Sequence, residues 1–207
     1  QALGGGTAGE WTPVNTIGFA RREVAERPDN KLVFVHAPSY GIGAVVAAPD
    51  KVTATQTGNR ITLENGQLKA VLTTAGTLVS LRDKDSRREA LTGLGNVLEL
   101  YEDVPTQPDA WDVDPFHIET RTACPPAASC KLTMDRAGLR ATVTFERKVG
   151  LKSSLVQRVT LDAGARRVEF HTEADWQESQ KFLKAAFPVN ARAMNATYEM
   201  QFGCVER

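Results

Sequence analysis

Between residues 101 and 115 the chain reads YEDVPTQPDAWDVDP, which gathers Glu102, Asp103, Asp109, Asp112 and Asp114 around the rings of Tyr101 and Trp111. Carboxylates beside an exposed aromatic ring suit sugar binding: the acids accept hydroxyl hydrogen bonds and the ring stacks on a pyranose C–H face. Pro105, Pro108 and Pro115 break the segment. It therefore reads as a surface loop, and such loops carry function more often than strands do. An acidic, solvated loop whose Trp111 plugs an edge of the core fits the same residues.

Other chemistries find less support. His36, His117 and His171 are the only imidazoles. His117 and Glu119 read as neighbours on one strand face, while His171 lies beside Glu169, Glu173 and Asp175. A metal site made from them would need long-range convergence, so histidines that hydrogen-bond a neighbour are the expectation and no metal ligand is assigned. No Gly-x-Ser-x-Gly elbow and no catalytic cysteine signature occurs. No glycine-rich segment lies between a strand and a helix as a phosphate loop does. A glycosidase needs two carboxylates about 5–10 Å apart across a cleft, whereas acids adjacent in sequence usually lie on one side of a substrate. These residues describe a β module with no catalytic residue of its own.

The elements that must position the loop are strands. Leu139, Ala141, Val143 and Phe145 alternate with Arg140, Thr142, Thr144 and Glu146, the pattern of a half-buried antiparallel strand. Residues 155–161 and 168–172 repeat it across an Asp162-Ala163-Gly164 turn. Further strands are expected at 14–19, 32–36, 77–82, 96–101, 182–189 and 196–202. Asn65-Gly66 between 60–64 and 67–72 signals a type I′ hairpin, which would set Leu63 opposite Leu68 and Ile61 opposite Ala70. The one helical turn expected is 178–184. Strands every ~8–12 residues with turns between them predict an all-β, antiparallel sandwich.

The totals narrow the class. With 207 residues and Lys+Arg equal to Asp+Glu at 25 each, the chain has no bias toward nucleic acid or an anionic membrane. No apolar stretch approaches ~18 residues, and QALGGGTAGEW shows neither the basic n-region nor the apolar core expected of a signal peptide. Cys124, Cys130 and Cys204 lack zinc spacing; Cys124 and Cys130 bracket PPAAS as a small loop disulfide would, but all three read as reduced thiols in a cytoplasmic-type protein. Both ends look cut, so a piece of something longer is expected. Residues 1–13 read as a linker or flexible arm, 14–48 as a small β segment, and 49–207 as the first part of a large sandwich.

Several segments together carry a resemblance: VNTIGFARREV (14–24), LENGQLKAVLTTAGTLVSLRDKDSRRE (63–89), GNVLELYEDVPTQPDAWDVD (95–114), FHTEADWQESQKFLKAAFPVNARA (170–193) and ATYEMQFG (196–203). The chain resembles the C-terminal β region of glycoside hydrolase family 38 α-mannosidases, cytosolic/vacuolar subgroup. The resemblance implies a retaining α-mannosidase whose N-terminal barrel holds the nucleophile, the acid/base and zinc. None of that apparatus maps here. The implied fold is the opening of a galactose-mutarotase-like supersandwich.

By this resemblance, the acidic loop approaches the active site of a barrel outside this sequence. Asp109, Trp111, Asp112, Asp114 and His117 are then its substrate-side contribution, on an α-mannoside. The competing role is docking, with Trp111 at the barrel interface and the acids on barrel Arg or Lys. An apolar patch left bare by the barrel would favour self-association into a homo-oligomer. Gln177, Gln180 and Cys204 stand where the subgroup usually has histidine, so proton-linked roles of those histidines do not carry over. A stand-alone carbohydrate-binding module and a mutarotase are the rival functions, the latter on fold analogy alone.

Overall fold

The computed structural model describes residues 11–106 and 113–207. Asp109, Trp111 and Asp112 of the predicted site lie outside the described residues. Strands β1 (Arg21–Glu26), β2 (Leu32–Ala37) and β3 (Ala44–Val45) form a small sheet in that order. Strands β4 (Thr53–Thr57), β5 (Arg60–Glu64), β6 (Leu68–Thr73), β7 (Leu78–Asp83) and β8 (Arg88–Glu89) make a five-stranded meander. Next come β9 (Val97–Glu102), a 3₁₀ turn (Pro115–Thr120) and β10 (Thr122–Ala123). Strands β11 (Ser129–Met134), β12 (Arg140–Val149), β13 (Ser153–Asp162) and β14 (Glu169–Asp175) make a four-stranded meander. Strand β15 (Lys181–Ala186) then returns to β9, giving a third sheet in the order β10-β9-β15. A hairpin of β16 (Thr197–Met200) and β17 (Gly203–Glu206) follows. All pairings between these strands are antiparallel, so the predicted all-β antiparallel class holds. No helix among the described residues is long and apolar enough to cross a membrane.

Period-two patterning explains the packing. The odd-numbered residues of β12 and β13 face inward and are buried. At one end Ala141, Val143, Phe145, Val159 and Leu161 meet Ile61, Leu63, Ala70, Leu72 and Leu78 of the five-stranded sheet. Val24 and Phe34 of the small sheet join that core. At the other end Val149 and Leu155 meet Leu98 and Leu100 of β9, with Leu183 of β15 packed against them.

Buried polar groups tie these layers together. Asn65 is 3% exposed. Its Nδ2 donates to the carbonyls of Asp162 and Ala165 at 2.8 and 2.9 Å, and its Oδ1 accepts from the amides of Gln67 and Leu68 at 2.8 and 2.7 Å. Asp50 completes the tie, accepting from the amide of Gly66 and, at 2.6 Å, from that of Gly164. Asn96 donates to the carbonyl of Gly76 and to Gln157 Oε1, both at 2.7 Å, and Gln157 Nε2 donates back to Asn96 Oδ1 at 3.1 Å.

Four expectations are corrected. Residues 14–19 form no strand beyond a single bridge from Val14 to Ile42. The Asn15 side chain instead donates to the carbonyls of Phe19 and Pro38, and the charged run after it becomes β1 with Val24 pointing into the core. The β5–β6 register is shifted by two residues, with Leu63 opposite Ala70 and Ile61 opposite Leu72. The side chain of Asn65 is consumed by the cross-layer bonds, and neither Asn65 nor Gly66 takes a positive φ. A shift of two preserves the faces, so the apolar side was still legible. A two-residue loop does join β4 and β5 at Gly58-Asn59, where Gly58 alone takes a positive φ, +57°, as a type II′ turn requires at its first central position. Residues 178–184 are not helical: Glu178 Oε1 accepts from the amides of Leu151, Lys152 and Ser153 at 2.9, 2.6 and 3.1 Å, and β15 begins at Lys181. His117 and Glu119 lie in the 3₁₀ turn, not on a strand.

Asn65→Ala strands four backbone groups, so it should lower the unfolding free energy by about 3 kcal/mol. Exposed Lys69→Ala, which breaks only a surface ion pair, should change it by under about 1 kcal/mol. Urea denaturation checks both. The Lys152 amide, with those of Leu151 and Ser153, holds the Glu178 carboxyl below its ordinary range. Its stabilising contribution is therefore complete above the unfolded value of about 4.3 and lost as pH falls through the lower folded value. Wild type should be more stable than Glu178→Gln at pH 7, and the gap should narrow as pH falls below about 4.3.

Candidate functional site

The predicted site residues that the structure describes, Asp114 and His117, sit over the outward face of the β10-β9-β15 sheet. Because Leu98 and Leu100 point to the core, Glu99 and Tyr101 between and beyond them point the other way. The β15 register sets Phe182 opposite Tyr101 and Lys184 opposite Glu99. Two aromatic rings and two charges thus share one face.

The 3₁₀ turn covers that face. Pro115 at its start supplies the fixed φ that begins a helical turn, and Asp114 before it is extended. The turn lays the His117 ring edge-on to Tyr101 at 5.2 Å and to Phe182 at 5.6 Å between centroids. His117 Nδ1 lies 2.7 Å from the Asp114 carbonyl, and Lys184 Nζ lies 2.7 Å from His117 Nε2. A carbonyl only accepts and an ammonium only donates. The imidazole is therefore neutral, with its proton on Nδ1 and its Nε2 lone pair receiving Lys184. Lys184 Nζ also stands 5.0 Å from the centroids of both Tyr101 and Phe182, within cation–π range.

A chain of polar contacts runs from this centre. The Tyr101 hydroxyl donates to Glu99 Oε2 at 2.5 Å, and Arg121 Nε donates to Glu99 Oε1 at 2.8 Å. Glu99, by accepting the phenolic proton, pushes the Tyr101 hydroxyl above its ordinary ionisation range, and burial adds to the effect. Asp114 Oδ2 accepts from the amide and hydroxyl of Thr106 at 2.8 and 3.1 Å. It thereby clamps together the two ends of the acidic loop. Thr120 Oγ1 accepts from the amide of Glu102 at 2.9 Å, and Glu102 pairs with Lys181.

Three of the described carboxylates here, Glu99, Glu102 and Asp114, are occupied by structural bonds. Beside them a cavity of ≈ 110 Å³ is lined by Glu102, Asp103, Val104, Asp114, Phe116 and His117. That is well below the ~300–1,000 Å³ of pockets that enclose a small molecule. Tyr101 is 6% exposed and covered by His117. It cannot be the open stacking ring that the sequence suggested. Among the described residues no group of three His, Cys, Asp or Glu could hold a metal ion. His171 instead bonds Glu173 on β14 at 3.3 Å.

Sequence reasoning missed Lys184, Phe182, Glu99 and Arg121. The signal for Lys184 was a single cation inside the apolar run FLKAAF. Its partner His117 lies 67 positions away, and only the β9–β15 register brings the two together.

Comparison with known proteins gives a consistent picture. The sequence profile of the glycosyl hydrolases family 38 C-terminal domain matches residues 63–207. Human Alpha-mannosidase 2C1 is 37% identical over 210 residues, which cover 94% of this chain and 20% of the human protein. Alpha-mannosidase G of Dictyostelium discoideum is 30% identical over 208 residues, covering 94% of this chain and 18% of that protein. Alpha-mannosidase of Saccharomyces cerevisiae is 31% identical over 162 residues, covering 71% of this chain and 15% of the yeast protein. The chain thus spans about one fifth or less of the length of these relatives.

If Glu99 governs the Tyr101 phenol, spectrophotometric titration of the three tyrosines should lose its most alkaline step in Tyr101→Phe. Glu99→Gln should move that step to lower pH.

Proposed function

The chain belongs to the glycosyl hydrolase family 38 C-terminal domain family, and on that footing we propose that it is the non-catalytic sandwich region of a retaining α-mannosidase. Its role is to support the active site of a separate N-terminal catalytic barrel, with an α-mannoside as the substrate of the whole enzyme. The observation that carries this reading is the state of the carboxylates over β9: Asp114 is spent on Thr106, Glu99 on Tyr101 and Arg121, Glu102 on Lys181. Acids fixed in this way hold a loop in place. They are not arranged as a general acid facing a nucleophile across a substrate.

Within the proposal, residues 1–13 are a linker, 14–48 a small β segment, and 49–207 the start of a galactose-mutarotase-like sandwich. The two meanders stacked through one apolar core support that assignment. Asp114 and His117 are positioning residues for the acidic loop, and Asp109, Trp111 and Asp112 are its contribution at the barrel, on the substrate or against the barrel wall. Exposed Val104, Phe116 and Ile118, at 58%, 52% and 63%, flank that loop and suit an apolar contact with the barrel. Zinc belongs to the catalytic barrel in this reading, as the family resemblance implies. Three unpaired cysteines fit a reducing, cytoplasmic setting.

The purified chain should not hydrolyse an aryl α-mannoside, and adding the barrel-containing remainder should bring turnover. Sustained turnover by the chain alone would overturn the proposal. Mannose-dependent quenching of the chain's fluorescence, lost in Trp111→Ala, would instead favour an independent sugar-binding module.

A further inference from the structure

We propose that the His117–Lys184 contact is a proton-operated latch on residues 114–120. The latch rests on these contacts alone, whatever enzyme the domain serves. Lys184 Nζ at 2.7 Å from Nε2 requires the lone pair of a neutral imidazole. The other ring nitrogen is already committed to the Asp114 carbonyl at 2.7 Å. A second proton on the ring has nowhere to go except Nε2. There it would face an ammonium head-on, two like charges at hydrogen-bond distance. Histidine is the side chain used as a proton switch, and proton uptake by this ring would bring the two charges into conflict.

Among the described residues, the groups in contact with the ring offer it no carboxylate. Lys184 and Phe182 come from β15, and Tyr101 from β9. Glu99 lies behind Tyr101 and is taken by the phenol and Arg121. Glu102 and Asp103 line the neighbouring cavity, where Glu102 holds Lys181. Asp114 offers the ring its carbonyl, while its carboxylate closes the loop through Thr106. The ring therefore sits between the loop clamp and the sheet: Asp114 on one side, Lys184 on the other. Breaking the Lys184 side leaves the turn held to β9 through Thr120 and the amide of Glu102. Protonation then shifts the turn and, through Asp114, the clamp.

The test is an NMR titration of the whole chain from pH 8 to pH 5, following the His117 imidazole and the backbone amides of Asp114, His117 and Thr120. The imidazole and the three amides should move together with one shared midpoint. In His117→Gln the amides should show no such step. In Lys184→Met, and in Lys184→Gln should the first fold poorly, the imidazole should still titrate while the amides stay in place. Three results would overturn the latch: no proton uptake by His117 in this range, uptake without movement of the amides, or the same movement when Lys184 has been replaced.

Discussion

The β12–β13 hairpin is the constraint on which the rest depends. Its two ten-residue strands pair from Arg140–Asp162 to Val149–Ser153, and one continuous inner face serves two cores. The upper half buries the five-stranded sheet and the lower half buries β9 and β15. The sheet that carries His117 and Lys184 is thus hung from the same hairpin that holds the main sandwich. Truncating Phe145 or Leu155 would therefore be felt at the outward face of β9 as well as in the core.

Between the two apolar ends of that hairpin the inner face turns polar. Gln157 is engaged with Asn96, and Arg147, 6% exposed, donates to the Ala75 carbonyl at 3.3 Å. Burial pulls the Arg147 guanidinium down from its ordinary value and pushes the Cys124 thiol up. Gly76, at φ +90°, lies where a Cβ would collide with Arg147 Nη2, so a side chain there is excluded on two counts. Buried polar groups add little net stability when paired and cost a great deal when unpaired. Here they fix which residues of β7, β9 and β13 face one another.

How much the sequence revealed follows from which interactions are local. The strand from Arg140 was legible because alternation is a property of neighbouring residues, and Ala141, Val143 and Phe145 of the expected face are buried. Strand β1 was hidden, since among its residues only Val24 is deeply buried and the rest reads as a charged turn. The Asn65-Gly66 turn misled because the Asn65 amide bonds carbonyls about a hundred residues away, which no local pattern encodes. At the site, composition singled out Asp114 and His117 but not their partners Thr106 and Lys184, which come from outside the local pattern. Tyr101 was misjudged for the same reason: the ring that covers it arrives from a turn outside its own strand.

The central claim is that this domain presents the outward face of β9, β10 and β15 to a separate catalytic domain. Hydrogen–deuterium exchange compared between the full-length protein and this chain alone tests it most directly. Exchange should be slower in the full-length protein at residues 99–106 and 113–123, with the exposed edge strand β4 unchanged. Equal exchange over 99–123 in the two proteins, with new protection elsewhere, would contradict it.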